Sequence, residues 1–354
     1  MHRLSRRCRM NKETVELTKR LRDFFQIYLP KQKCYSENTV TSYKYAFNLF
    51  FDFLNSRKGI GMAKITMDCF SGESVSEFME WLSRERNNSA STCNQRMMAL
   101  RSFAKYNGTK DFSQFSLYAE IKSIPAKKSS PKTVEFLSES ALEILLTRPN
   151  AQKISEMRNQ FFMILMYDTA ARCQEILDIR IKDICFNEKT PYLYLTGKGN
   201  KTRSVPMMDA TYRHLLKYLE KFHPDYKKNT DEFLFYITTH GIRHQMSQDT
   251  VEVFMKRYGK EAKPICPDLP DKVHPHQLRH TRAIHLYRGG MPLSILSEFL
   301  GHCSEETTRI YAYADTEMKR EAINKATADI AMPEEKPIWD ETDEETLRKL
   351  AGLR

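Results

Sequence analysis

The sequence predicts a mainly α-helical protein in two domains, with a small antiparallel β element confined to the second. Three observations carry this expectation. Apolar residues recur at helical spacing through most of the 354 residues; one pair of extended segments flanks a Gly-rich turn; and a Pro/Ser/Lys-rich stretch without periodicity separates two such regions. At about 150 residues per domain the length accommodates two. With 41% hydrophobic and 11% aromatic residues, each can fill a core.

In chain order, Leu17, Leu21, Phe24, Phe25 and Tyr28 form one apolar face of a first helix. Ser36 is placed to cap a second, whose inner face is Val40, Tyr43, Phe47, Phe50, Phe51 and Leu54. Val75, Phe78, Met79 and Leu82 mark a third, and Ser91 can cap a fourth carrying Cys93, Met97, Leu100 and Ala104. Residues 12–120 therefore read as a four-helix domain. Residues 121–133, IKSIPAKKSSPK and the Thr that follows, read as a basic linker. A second domain is expected over residues 134–328. Its helical patterns are Glu139 to Leu146, Phe161 to Tyr167, Thr211 to Tyr218, Thr250 to Tyr258, His276 to Arg288 and Pro292 to Leu300. Its β signal is Tyr192 to Thr196 and Arg203 to Pro206, joined by Gly197-Lys198-Gly199-Asn200. Residues 329–354 turn acidic. There Thr342 and Glu345 match a capping box, Glu344 and Arg348 stand at i, i+4, and Leu347, Leu350 and Leu353 form an apolar stripe. That stripe is too short to fold alone and is expected to dock, the alternative being a frayed tail.

Composition narrows the function classes. There are 56 Lys+Arg against 45 Asp+Glu, a formal charge of +11, and the sequence pI is about 9.1. A positive excess fits a polyanionic partner such as duplex DNA, although solubilised surfaces share that balance. No run approaches the ~20 apolar residues of a membrane span, and no secretory h-region follows the basic start, so a soluble cytoplasmic protein without membrane association is expected. The eight cysteines stand singly, without metal-finger spacing, and read as buried reduced thiols. Lys44, Arg96, Arg101, Lys105, Lys127, Lys128, Lys201 and Arg203 are candidate contacts to DNA. A solvated basic face is the competing reading for any one of them.

Two segments concentrate groups that bind and activate phosphate. In HPHQLRHTRAIHLYRGG, His276, Arg279 and His280 project from one side of a helix start. In LGHCSEETTRIYAY, His302 precedes Tyr311 by nine residues. An arginine fork complements phosphoryl oxygens, an imidazole moves a proton near neutral pH, and a tyrosine hydroxyl can attack phosphorus to leave a covalent ester. His276 and His280 at i, i+4 also suit a metal, but the HExxH glutamate is absent and the intervening Arg279 repels a cation, so no metal is expected.

These residues resemble the boxes of the tyrosine recombinases of the phage integrase superfamily. His276-Gln-Leu-Arg279 matches the His-x-x-Arg box and Leu300-Gly301-His302 the Leu-Gly-His box. Thr307-Thr308-Arg309-Ile310-Tyr311 matches the approach to the nucleophilic tyrosine. Thr169-Ala170-Ala171-Arg172, with Glu175 three residues on, matches the first arginine box, except that Ala170 replaces its usual glycine. Gly197 to Lys201 resembles the family's β-hairpin, with Lys198 at the general-acid position and Lys201 as the alternative. The resemblance runs from Leu17 to about Ala326. It implies a SAM-like helical core-binding domain and an α+β catalytic domain that clamp a DNA core site. It further implies catalysis by Arg172, Lys198, His276, Arg279, His302 and the nucleophile Tyr311, with Glu175 and His280 in support and no cofactor. In this scheme His276 takes or positions the tyrosine proton, while His280, His285 and Tyr313 are packing or supporting groups. A homotetramer on DNA through exchange of the C-terminal helix is implied, and an accessory DNA-bending or directionality factor is a further partner class. The segment before Leu17 is expected to be too short for the separate arm-binding domain of lambda-type integrases. The competing readings are a type IB topoisomerase-like enzyme that relaxes DNA as a monomer, and a DNA-binding relative without catalysis.

Overall fold

The computed structural model describes residues 11–128, 134–187, 189–197, 199–302, 304–314, 320, 323 and 344–353. The chain divides into two compact units, Met1–Pro131 and Lys132–Arg354.

The first unit is helical. Helix α1 (Lys12–Asp23) continues into a π-helical segment, Phe24–Gln32, in which Pro30 withholds an amide donor and Phe24 and Leu29 are buried. Helix α2 (Glu37–Lys58) starts where Ser36 Oγ accepts from the Thr39 amide. Helix α3 (Gly72–Arg84) and helix α4 (Ala90–Lys110) begin in the same way, from Ser71 and Ser89. The cap of α4 is thus Ser89 and not Ser91, because Ser89 has the extended backbone (ψ 155°) that aims its oxygen at the Thr92 amide. A further helix, α5 (Phe115–Ser123), makes the unit larger than four helices. It also moves the start of the linker, since Ile121 lies in the hydrophobic core instead of in solvent. The core is a cluster of fully buried phenylalanines: Phe47 and Phe103 meet edge to face at 5.3 Å, and Phe24 meets Phe103 at 5.2 Å.

The second unit opens with α6 (Glu139–Leu146), α7 (Ile154–Thr169) and the short α8 (Cys173–Leu177). Strands β1 (Ile184–Cys185), β2 (Tyr192–Thr196) and β3 (Thr202–Pro206) form an antiparallel sheet, with Leu193 opposite Val205 and Leu195 opposite Arg203. Gly199 and Asn200 take the left-handed backbone (φ 79° and 57°) of the turn between β2 and β3. Helix α9 (Asp209–Phe222) is followed by a second hairpin, β4 (Tyr236–Thr239) and β5 (Ile242–Gln245). The chain continues through α10 (Gln248–Ala262), α11 (Pro275–Arg288), α12 (Leu293–Leu300) and α13 (Arg309–Ala314), and α14 spans Glu344–Leu350.

Helix α7 packs against both α9 and α11. At its C-terminus the buried Asp168 joins the three: its Oδ2 accepts from the Met208 amide at 2.9 Å and its Oδ1 from Arg282 at 3.3 Å. Ala170, Ala283, Ile284, Leu296, Leu300 and Tyr311 form a separate apolar cluster where α7, α11, α12 and α13 converge.

Lys198, Thr342 and the side chain of Tyr313 lie outside the described residues, as do Cys8 and Cys303. Among the described cysteines, Cys93, Cys173 and Cys266 are buried, but Cys34 is exposed and Cys69 and Cys185 are half-buried. In α14, Arg348 reaches back to Glu344 at 2.6 Å, as the spacing suggested. No helix among the described residues is long and apolar enough to cross a membrane.

Candidate active site

Five places in the second unit, the turn after α7, strand β3, helix α11, the turn after α12 and helix α13, bring the candidate site residues together. The turn after α7 supplies Arg172, whose backbone begins α8. Ala170, just before it, holds a left-handed conformation (φ 47°) that glycine adopts freely and alanine does not. This points the Ala170 carbonyl at Arg279, which donates to it at 2.6 Å. The departure from glycine therefore leaves the geometry intact at a conformational cost.

Glu175 is 5% exposed and shared between two arginines. Its Oε1 accepts from Arg172 Nη1 at 2.6 Å, and its Oε2 accepts from Arg203 Nη2 at 2.8 Å and from the Arg172 amide at 3.0 Å. Burial raises the carboxyl's pKa, but the bonds from Arg203 and Arg172 outweigh it and hold Glu175 below the ordinary carboxylate value. Two glycines leave room for this arrangement. A Cβ on Gly197 would stand 2.9 Å from Glu175 Oε1, and one on Gly301 (φ 64°) would stand 2.8 Å from Arg203 Nη1.

Arg279, on α11, is 3% exposed. Besides the Ala170 carbonyl it donates to the Leu300 carbonyl at 2.8 Å and lies 3.0 Å from His302 Nε2. A guanidinium can only donate, so His302 Nε2 accepts and its proton resides on Nδ1, 2.9 Å from Thr308 Oγ1. Burial and the charges of Arg279, Arg172 and Arg203 push the His302 pKa down to about 4. Burial and the repulsion of Arg172 push even Arg279 down to about 10. The site crowds positive charge, which an anion would relieve.

Tyr311 is 1% exposed. Burial raises its pKa, and the charges of Arg279 and Arg172 oppose that rise. The imidazole at the hydroxyl is His280, with Nδ1 2.9 Å from the phenol oxygen. The family resemblance implies that His276 takes or positions the tyrosine proton, with His280 a packing or supporting group. Because α11 advances about 100° per residue, His280 is the ring turned towards α13, and His276 sits one turn earlier, exposed, with ring centroids 6.4 Å apart.

The candidate DNA contacts fall into two groups. Lys44, Lys105, Lys128 and Lys201 are exposed. The others have structural partners. Arg101 donates to the carbonyls of Ile121, Lys122 and Ile124, closing the C-terminus of α5. Arg96 lies over the Tyr45 ring at 4.7 Å and reaches the Ser42 carbonyl at 3.5 Å. The backbone of Lys127 is clasped on both its amide and its carbonyl by Asn94. Arg203 points inward to Glu175 and the Phe299 carbonyl. That orientation was legible, since Arg203 shares a strand face with Val205. The roles of Thr308 and His280 had no such signal.

A helical unit is followed by a mixed α and β unit in which a tyrosine, arginines and histidines converge. The family models for the phage integrase family, matching residues 135–318, and for the phage integrase N-terminal SAM-like domain, matching residues 23–108, both fit the sequence. Tyrosine recombinase XerC of Pediococcus pentosaceus is 30% identical over 85% of this chain and 95% of its own. Tyrosine recombinase XerA of Pyrococcus horikoshii is 28% identical over 82% of this chain and 88% of its own. The fold resembles that of the XerH site-specific recombinase bound to its difH substrate before cleavage (TM-score 0.59, 22% identity, 80% and 78% of the two chains). It also resembles the Tn1549 transposon integrase in complex with transposon right-end DNA (TM-score 0.63, 16% identity, 86% and 99%). The chain belongs to the phage integrase family. Its activity is that of a tyrosine recombinase, the site-specific cleavage and rejoining of DNA strands.

Proposed function

We propose that Tyr311 attacks a scissile phosphodiester and forms a 3′-phosphotyrosyl bond, releasing a 5′-hydroxyl. The observation that supports this reading is the placement of the buried Tyr311 hydroxyl, 2.9 Å from His280 Nδ1 on the helix that also carries Arg279. Arg172 and Arg279 neutralise the non-bridging oxygens as charge develops in the pentacoordinate state. Arg172 has a side chain 35% exposed, which lets it meet a duplex. His276 and His302 bind the phosphate. Lys198, or Lys201 on the same hairpin, protonates the departing 5′-oxygen. The ester formed retains the energy of the one broken, so neither ATP nor a metal is required.

Attack by a 5′-hydroxyl from a partner duplex then completes strand exchange, and two rounds pass through a Holliday junction. The exposed Lys44, Lys105, Lys128 and Lys201 contact the DNA backbone, which positions the protein without reading sequence. The working assembly is a homotetramer on DNA, with α14 handed between protomers, in the cytoplasm. An accessory bending or directionality factor sets which sites react.

Nicked suicide duplexes from the DNA flanking the gene, incubated without metal or ATP, test the reading. An SDS-resistant adduct is expected from the wild-type protein and none from Tyr311→Phe, with DNA binding almost unchanged. Equal capture by the variant sinks the assignment. Relaxation of supercoils by a monomer on any sequence favours the topoisomerase-like alternative.

A further inference from the structure

We propose that His280 takes the Tyr311 proton as the strand is cleaved and returns it as the strand is joined, an assignment that rests on the recombinase reading above. The phenol oxygen lies 2.9 Å from His280 Nδ1, and the two rings are 5.7 Å apart and inclined at 53°. With the ring's proton on Nε2, Nδ1 is an acceptor and the hydroxyl donates its own proton to it.

The other groups around the phenol are engaged or unsuited. Both carboxylate oxygens of Glu175 are held by Arg172 and Arg203. His302 has one ring nitrogen on Arg279 and the other on Thr308. Arg172 and Arg279 can only donate. With Tyr311 1% exposed, bulk water does not reach the hydroxyl in this state.

In the cleavage step the phenol oxygen bonds to phosphorus as the P–O5′ bond breaks. The phenol proton passes to Nδ1, and the hairpin lysine supplies a proton to O5′. In joining, the attacking 5′-hydroxyl gives up its proton to that lysine, phosphorus leaves the phenol oxygen, and His280 restores the hydroxyl. Protons balance over the cycle without an outside reagent.

Burial, then the neighbouring His276, Arg279 and His274, push the His280 pKa down to about 4, so the ring is neutral and able to accept. Facing it from the elements packed on α11 are Tyr311 of α13 and His302 after α12. A phosphodiester seated among these cations offsets their share of that depression and so makes the ring a better proton acceptor.

Single-turnover capture on the suicide duplexes tests this. If wild-type protein forms no adduct on any duplex, the recombinase reading and this assignment fall together. If it does, capture by His280→Ala is expected to slow about 10²- to 10⁴-fold. Added imidazole should restore that rate, which should also climb with pH and with buffer-base concentration, while DNA binding and melting temperature stay near wild type. His280→Asn, which keeps an acceptor for the hydroxyl but no base, should fold normally and remain slow. Capture by His280→Asn as fast as wild type or faster, the behaviour of a latch that merely hides the tyrosine, overturns the assignment. So does imidazole rescue of His276→Ala but not of His280→Ala.

Discussion

Glu175 is the carboxylate that holds Arg172 and Arg203 in place. Glu175→Gln keeps the shape of the side chain and its bond from the Arg172 amide, but removes the charge shared by Arg172 and Arg203. Breaking a buried ion pair from one side costs about 3 kcal/mol, so a melting temperature lowered by several degrees and adduct formation slowed at least about tenfold are expected. Unchanged calorimetry together with an unchanged capture rate refutes that role. The histidines predict a pH response whose sign follows from their burial. In the unfolded chain His280 and His302 take up protons near 6.5, and in the folded protein each does so only at about 4. Between those values the unfolded state binds more protons, so stability is full above about 6.5 and declines as pH falls towards 4. Denaturant melts across this window should show the decline, and His302→Gln, which cannot charge, should flatten part of it. The motif residues were legible one by one in the sequence. Their mutual contacts were not, because which ring of a His-x-x-Arg-His run meets the tyrosine depends on how α13 is docked and not on spacing along α11.

At the scale of elements, backbone clearance decides how closely the hairpin and the end of α12 approach. Gly301→Ala places a methyl 2.8 Å from Arg203 Nη1 on a left-handed backbone. A conformational cost of about 1 kcal/mol is therefore joined by displacement of Arg203 and, through Glu175, of Arg172. Gly59→Ala at φ 66° meets nothing within 4 Å. Both variants should lose stability in thermal melts, Gly301→Ala the more, and Gly301→Ala alone should slow DNA capture. Equal capture by the two would show that clearance at Gly301 has no bearing on the site. The elements that sequence periodicity identified have a buried face: α2, α3 and α9, and strands β2 and β3, where Leu193, Leu195 and Val205 alternate inward. The β4–β5 hairpin escaped notice because its residues are half-buried or exposed on both faces, so the period of two has no apolar set to mark it. The cap expected at Ser91 falls one residue inside α4, and the extended backbone of Ser89 makes that serine the cap.

For the whole molecule, the division into a helical unit and a catalytic unit was visible as a break in periodicity, but the start of the linker was not. The lysines and serines around Ile121 disguise a residue that completes the first core. Basic composition makes DNA affinity strongly salt-dependent: log K should fall linearly with log salt, at a slope of about −0.9 per phosphate neutralised on duplex DNA. That slope separates contact with DNA from assembly upon it. Leu347, Leu350 and Leu353 are 50%, 67% and 73% exposed, and a helix of seven residues does not hold itself together in water. An apolar stripe left uncovered on so short a helix is stabilised by docking, and the proposed recipient is the neighbouring protomer. Deleting residues 344–354 removes no candidate phosphate contact and no residue of the Tyr311 site. The truncated protein should therefore bind a single site with the same salt slope and still form the tyrosine adduct on a suicide duplex. It should lose the slower-migrating multimeric complexes in native gels and fail to join strands between two duplexes. Multimers formed as readily as by the full chain would reject α14 as the element handed over, and a flatter salt slope would place it on the DNA instead.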